Sequence, residues 1–225
     1  QSIWGMLIVL VLAILLVSQF MLTFGKDPNA KEVKKSKSPL SFHPIAIIFG
    51  VLSFVSYLTE GAVGDWSALY LFEDKGIEIQ EAVMGVMLFN ATMCIGRLLG
   101  NTLGKHLTSK QVVVGGYIMG AISMALIVFL PGHASMYTYL LLGISLAMIV
   151  PNLFSAMGEQ NVIPMTQAVA TSTMLGYMGI LMGPALIGFI AHGSSLMIAF
   201  ICITVLLILS AAIGKYAYKL IAAAK

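Results

Sequence analysis

Long apolar runs, separated by short polar stretches, make up most of this chain. A helix needs about 20 apolar residues to cross a bilayer, so the pattern predicts seven transmembrane helices and an all-α membrane protein. The predicted ranges are 2–24, 44–72, 82–103, 112–130, 136–157, 165–192 and 195–216.

The polar connections between these runs differ in kind. Residues 25–43 form a lysine-rich stretch with two prolines, which is typical of a linker, whereas 131–134 and 192–194 predict tight turns. We therefore divide the chain into a first helix at 1–24, a linker at 25–43 and a six-helix domain at 44–225.

Composition supports the membrane class. Hydrophobic residues make up 59% and charged residues 9% of the chain, against roughly 25% charged residues in soluble domains. Cys94 and Cys202 both lie inside apolar runs and predict no disulfide framework and no redox compartment. We also expect no metal site. We expect no cofactor and no nucleic-acid partner. The first residue is Gln and not Met, which indicates a piece of a longer protein.

Basic residues indicate the orientation. If successive helices alternate in direction, eleven of the twelve Lys and Arg residues lie on one side of the membrane and only Lys75 lies on the other. The positive-inside rule assigns the first side to the cytoplasm. The first helix then starts outside, and the C-terminus is cytoplasmic.

Glycines spaced four residues apart predict close helix contacts. They occur within or directly after three of the predicted helices: Gly96, Gly100 and Gly104; Gly116 and Gly120; Gly179 and Gly183. Met-Leu pairs precede Gly96 and Gly183 by the same interval, in helices of opposite direction. This echo is what two inverted three-helix repeats would leave. Pro184 predicts a bend.

Two carboxylates stand in the second apolar run. A charge at the centre of a bilayer costs roughly 2.5 to 3.5 kcal/mol on insertion scales, so Glu60, near the middle of its helix, is the first candidate for function. It is either a cavity-lining proton acceptor or substrate ligand, or a structural carboxylate bonded to a neighbouring helix. Asp65, beside Trp66, is a second candidate: a binding residue, a gate or an interfacial anchor.

Other polar residues inside the helices are weaker candidates. Asn90, at a depth similar to that of Glu60, either shares a cavity with it or bonds to a neighbouring helix, and Asn152 follows the helix-bending Pro151. Arg97 lies about a turn and a half inside its helix end and is either a gate or an interfacial anchor. Trp66 is the second gating candidate. Gln167 and Tyr177 could also reach a cavity.

Four segments resemble the major facilitator superfamily, in its YbjJ-type bacterial branch, which is distantly related to fucose permeases. They are residues 60–71 (EGAVGDWSALYL), 96–100 (GRLLG), 150–156 (VPNLFSA) and 175–189 (LGYMGILMGPALIGF). The resemblance implies that the seven predicted segments are helices six to twelve of a twelve-helix fold in the bacterial inner membrane. Residues 25–43 would be the central cytoplasmic linker, and the missing N-terminal six-helix half would be the main partner.

The chain departs from this family at one loop. Asn101 and Gly104 stand where the family carries acidic residues, so Arg97 would need another partner for its charge.

The resemblance implies a secondary active transporter that moves a small solute, such as a sugar or metabolite, by alternating access, with proton coupling left open. The alternative is a seven-helix membrane receptor or a structural membrane subunit. A retinal protein is disfavoured because the last helix has no lysine before Lys215. We expect no enzyme, since Gly-x-Ser-x-Gly and His-Glu-x-x-His motifs are absent.

Overall fold

Six helical spans account for most of the computed structural model, which describes residues 15, 40–100, 107–160 and 162–223. Each of the six is long and apolar enough to cross a membrane. The predicted all-α membrane class is confirmed. The predicted first helix at 1–24 lies outside the described residues except for Leu15, so the count of seven helices stays a prediction.

Eight helical segments form these spans in the described part of the chain. They are α1 (Pro44–Glu73), α2 (Ile79–Leu98), α3 (Ser109–Phe129), α4 (Gly132–Tyr137), α5 (Tyr139–Ala147), α6 (Ile149–Glu159), α7 (Met165–Gly193) and α8 (Leu196–Ala223). Segments α4 to α6 follow one another within a single span, Gly132–Glu159. We call the end of the bundle with Glu73, Asp74, Glu78 and Glu81 the acidic end. The end with Lys110, Lys215 and Lys219 is the basic end.

Local sequence signals explain several helix starts. The side chain of His43 accepts a hydrogen bond from the Ile45 amide at 3.3 Å, and Pro44 occupies the first position of α1, where a missing N–H costs nothing. At α3, Thr108 and Gln111 form a reciprocal capping box.

Two predicted boundaries were wrong. The helix predicted to start at 136 already begins as α4 at Gly132, whose φ is +47°, so the tight turn predicted at 131–134 is shortened to residues 130–131 between α3 and α4. Helix α8 continues to Ala223, seven residues past the predicted end at 216. Its last turns are held by Tyr218, whose hydroxyl lies 3.0 Å from the Ser109 hydroxyl. The predicted end of the third helix, at residue 103, lies outside the described residues.

The fourth span is interrupted between α5 and α6 at Met148, whose φ is −102° and ψ is −3°. Pro151 has no N–H to donate to the carbonyl of Ala147, four residues earlier, which favours a break at this point. The Asn152 side chain donates to the Met148 carbonyl at 2.9 Å.

The spans pack in a fixed pattern. Helix α1 packs mainly against α7, α2 packs against α5, and α3 packs against α8. Helices α2 and α7 have the smallest buried shares of the six spans. A pair of hydrogen bonds joins α3 to α1. The buried Tyr117 hydroxyl on α3 donates to the Leu52 carbonyl at 2.6 Å and lies 2.9 Å from the Ser56 hydroxyl.

Glycines line the contact between α1 and α7. A methyl group added at Gly183 would lie 2.9 Å from the Leu58 carbonyl oxygen, and one added at Gly179 would collide with the Phe54 carbonyl oxygen. These are backbone atoms, which cannot rotate away. The predicted packing role of Gly179 and Gly183 is confirmed.

A similar contact joins α2 to α5. A methyl group at Gly96 would lie 2.6 Å from the Ala147 Cβ, and one at Gly143 would collide with the Phe89 carbonyl oxygen. The other predicted packing glycines in the described residues also face neighbouring helices. They are Gly100 against Met148, Gly116 against the Ser145 carbonyl, and Gly120 against Leu146. Gly104 lies outside the described residues.

Candidate functional site

An ion pair connects the middle of α1 to the end of α2. Glu60 is the seventeenth of the thirty residues of α1, and its side chain is only 14% exposed. The Arg97 Nη2 atom lies 3.3 Å from Glu60 Oε2 and 3.4 Å from Oε1, while the Arg97 side chain is 48% exposed. The structure thus gives Arg97 a partner within the membrane span.

The antiparallel course of the two helices makes this contact possible. Glu60 stands thirteen residues before the end of α1 at Glu73, and Arg97 stands eighteen residues after the start of α2 at Ile79. The five-residue difference is about 7.5 Å along the helix axis. The long arginine side chain reaches back over this offset toward the bilayer centre, as such side chains do when they find a polar partner.

Two tyrosines lie beside the ion pair. The rings of Tyr57 and Tyr177 are stacked, with centroids 5.6 Å apart and planes 5° from parallel. Tyr57 is one helical turn from Glu60 on the same side of α1, and it interacts electrostatically with both Glu60 and Arg97. We call Tyr57, Glu60, Arg97 and Tyr177 the central cluster.

The central cluster is divided between two tightly packed helix pairs. Tyr57 and Glu60 belong to α1 and Tyr177 belongs to α7, the two helices joined through Gly179 and Gly183. Arg97 belongs to α2, which is packed on α5. The ion pair therefore bridges the two helix pairs.

The chemistry of the cluster suits a polar solute. Glu60 offers a carboxylate that accepts hydrogen bonds or a proton, and Arg97 offers several fixed N–H donors. Because the two charges compensate each other, a partner that separates them must supply both donors and acceptors. In the described ranges, no three His, Cys, Asp or Glu side chains converge as metal ligands.

The hydrogen bonds of the other predicted residues go to groups outside the cluster. Asn90 is exposed, and its amide N–H donates to the Val86 carbonyl of its own helix at 2.9 Å and not to a neighbouring helix. Asn152 lies near the basic end, where its backbone carbonyl accepts from the Ser109 hydroxyl at 2.9 Å.

The two candidates nearer the acidic end differ in exposure. Asp65 is exposed and takes part neither in the Glu60–Arg97 ion pair nor in the contact between Glu81 and His133. The Trp66 indole N–H donates to the Pro184 carbonyl at 3.0 Å, which ties α1 to α7. Trp66 also lines a cavity of about 470 Å³ at this end, together with residues that include Glu73, Asp74 and His192.

The sequence interpretation did not single out Tyr57. Tyr57 could have been found from its position three residues before Glu60, because this spacing places both side chains on one face of a helix. Nothing in the sequence pattern indicated that Tyr177 would stack on it.

Comparison with known proteins identifies the family. No protein-family model matches the chain. Over 170 residues, however, the chain is 39% identical to an uncharacterised MFS-type transporter of Yersinia pestis, a match that covers 75% of the chain and 44% of that protein. The chain belongs to the major facilitator superfamily. It is also 30% identical over 151 residues to the membrane protein MosC of Rhizobium meliloti, which covers 67% of the chain and 37% of MosC.

Solved structures of this superfamily share the fold. The E. coli fucose:proton symporter FucP superposes with a TM-score of 0.76 at 15% identity, over 93% of the chain and 54% of FucP. A structure of FucP in the outward conformation gives a TM-score of 0.72 at 14% identity, over 93% of the chain and 53% of that protein. The chain spans less than half the length of the two sequence relatives described above. The superfamily is one of membrane transporters and not of enzymes.

Proposed function

We propose that this chain is the C-terminal part of a secondary transporter that moves a small polar solute by alternating access between two six-helix halves. In this proposal residues 1–24 are helix six, residues 25–43 are the central linker, and 44–225 form the second half. The basic end is cytoplasmic. The length of chain matched in FucP, just over half, supports this proposal, and membership of a transporter family favours it over a receptor or structural subunit.

The packing pattern supports two inverted three-helix repeats within that half. Helices α1, α2 and α3 would form the first repeat, and the α4 to α6 span, α7 and α8 the second. The first span of each repeat packs on the second span of the other, and the two third spans pack together. A two-fold axis in the membrane plane produces this exchange of contacts, and sites in such transporters lie near the midplane between repeats.

The Glu60 and Arg97 pair is the observation that carries the mechanism. The pair sits in a membrane span, it is partly exposed, and it joins two helix pairs. A neutral solute with hydroxyl groups can donate to Glu60 and accept from Arg97. It can therefore replace the direct contact and leave both charged groups with a hydrogen-bond partner. A proton on Glu60 weakens the same contact. Solute binding and protonation would therefore act on one bond between α1 and α2.

Transport by the full-length protein tests this mechanism. The native protein is reconstituted in vesicles, and uptake of labelled monosaccharides is measured with and without an inward proton gradient. We expect Glu60→Gln to abolish uptake driven by the gradient, while Asp65→Asn, a matched neutralisation on the same helix, retains most of it. Gradient-driven uptake that is unchanged in Glu60→Gln would contradict the role given to the pair.

A further inference from the structure

The tyrosine stack of the central cluster bears on the shape of the solute. Tyr177 is 55% exposed although it lies in the middle of α7, while its stacking partner Tyr57 is partly buried. An exposed aromatic ring next to a compensated ion pair provides an apolar surface and polar groups side by side. Small-molecule sites combine these two kinds of surface, the first for contact area and the second for orientation.

The backbone fixes the position of the stack. A methyl group at Gly176 would lie 2.8 Å from the Tyr57 Cδ2 atom, so the Tyr57 ring rests directly against the α7 backbone. Gly179, three residues further along α7, lies against the backbone of Phe54. The Tyr57 ring is therefore held against α7, where it supports the stacked ring of Tyr177.

The distribution of polar groups restricts the solute further. Glu60 and Arg97 interact electrostatically with Tyr57, one member of the stack, and compensate each other's charge. A charged solute would bring a like charge close to one of the two groups. The favoured solute is neutral, with hydrogen-bonding groups along one edge and a face of C–H groups that can lie on a ring.

We infer that Tyr177, supported by Tyr57, is a specificity-determining residue that selects cyclic over open-chain neutral solutes. The inference rests on the proposed function, because it assigns the ring face of the solute to the same site that holds Glu60 and Arg97. A ring presents a preformed flat face to Tyr177. An open-chain polyol with the same hydroxyl groups must first lose conformational freedom to do so.

A competition experiment on the full-length transporter tests the inference. Binding of cyclic hexoses and of the corresponding open-chain hexitols is measured by protection against thermal unfolding, and the ratio of their affinities is compared among variants. We expect Tyr177→Leu to reduce the ratio about tenfold, within the range that aromatic ring contacts supply. Tyr177→Phe should keep the ratio, because it keeps the ring. Tyr216→Leu is the matched control, since Tyr216 is 56% exposed on α8 and outside the cluster.

The outcomes separate this inference from the proposed function. An affinity ratio that is the same in Tyr177→Leu and Tyr216→Leu overturns the inference, even if transport depends on Glu60. A ratio that falls only in Tyr177→Leu, with transport unaffected by Glu60→Gln, supports the inference and overturns the mechanism proposed for the ion pair. Wild-type protein that binds no hexose overturns the solute class. Tyr177→Phe guards against a variant that merely fails to fold.

Discussion

Replacing Gly179 by alanine tests the tight contact between α1 and α7, on which the central cluster is mounted. The added methyl group would collide with the Phe54 carbonyl oxygen, and it would lie 3.0 Å from the Phe54 carbonyl carbon and 3.1 Å from the Leu58 nitrogen. All three atoms belong to the backbone of α1. The strain can be relieved only if the two helices move apart.

The expected cost follows from this crowding. Inserting a methyl group into a packed contact costs typically about 1–3 kcal/mol, while the change from glycine to alanine in a helix recovers up to about 1 kcal/mol. Gly115→Ala isolates the second effect, because nothing lies within 4 Å of a methyl group at Gly115 on α3. Relative to Gly115→Ala, we expect Gly179→Ala to be less stable by about 1–3 kcal/mol.

Thermal unfolding of the full-length protein in detergent, followed by circular dichroism at the helix band, measures this difference. The shift in midpoint per kcal/mol is about 2–4 °C for a chain of 150–250 residues and becomes smaller as a chain lengthens, so in the longer full-length protein the midpoint of Gly179→Ala should lie below that of Gly115→Ala by up to about 12 °C. Equal midpoints for the two variants would refute the close approach of α1 and α7.

Two further predictions concern charged groups. Arg97→Gln and Glu60→Gln should each lower the unfolding midpoint because each leaves one charge unpaired. The double variant should lose less stability than the two single variants lose together. A double-mutant cycle measures this coupling, and strictly additive losses would exclude the contact. At the acidic end, Lys75 donates to the Val128 carbonyl at 2.6 Å, and partial burial lowers its pKa from the ordinary 10.5, an effect only partly offset by Asp74. Between the lowered pKa and 10.5, the unfolded chain binds more protons at Lys75 than the folded chain does. The wild-type protein should therefore gain stability relative to Lys75→Gln as the pH rises through that window. Unfolding midpoints of wild type and Lys75→Gln that change in parallel with pH would contradict the expectation.

Much of the fold could be read from local pattern. Run length and apolar content predicted six described spans, because the thickness of the bilayer sets the length of each helix independently of its neighbours. The spacing of Gly179 and Gly183 predicted a packing face for a similarly local reason, since residues four apart lie on the same side of a helix. The cost of an intramembrane carboxylate singled out Glu60 before any partner was visible.

The sites of contact were decided only by the tertiary structure. The sequence pattern did not reveal that Arg97 turns toward Glu60, that Tyr57 stacks on Tyr177, or that Asn90 bonds within its own helix. Each of these outcomes depends on the rotation of one helix relative to another and on the reach of individual side chains. The apolar pattern carries little information about rotation here, because a helix in a membrane is apolar on its lipid-facing and its protein-facing sides alike.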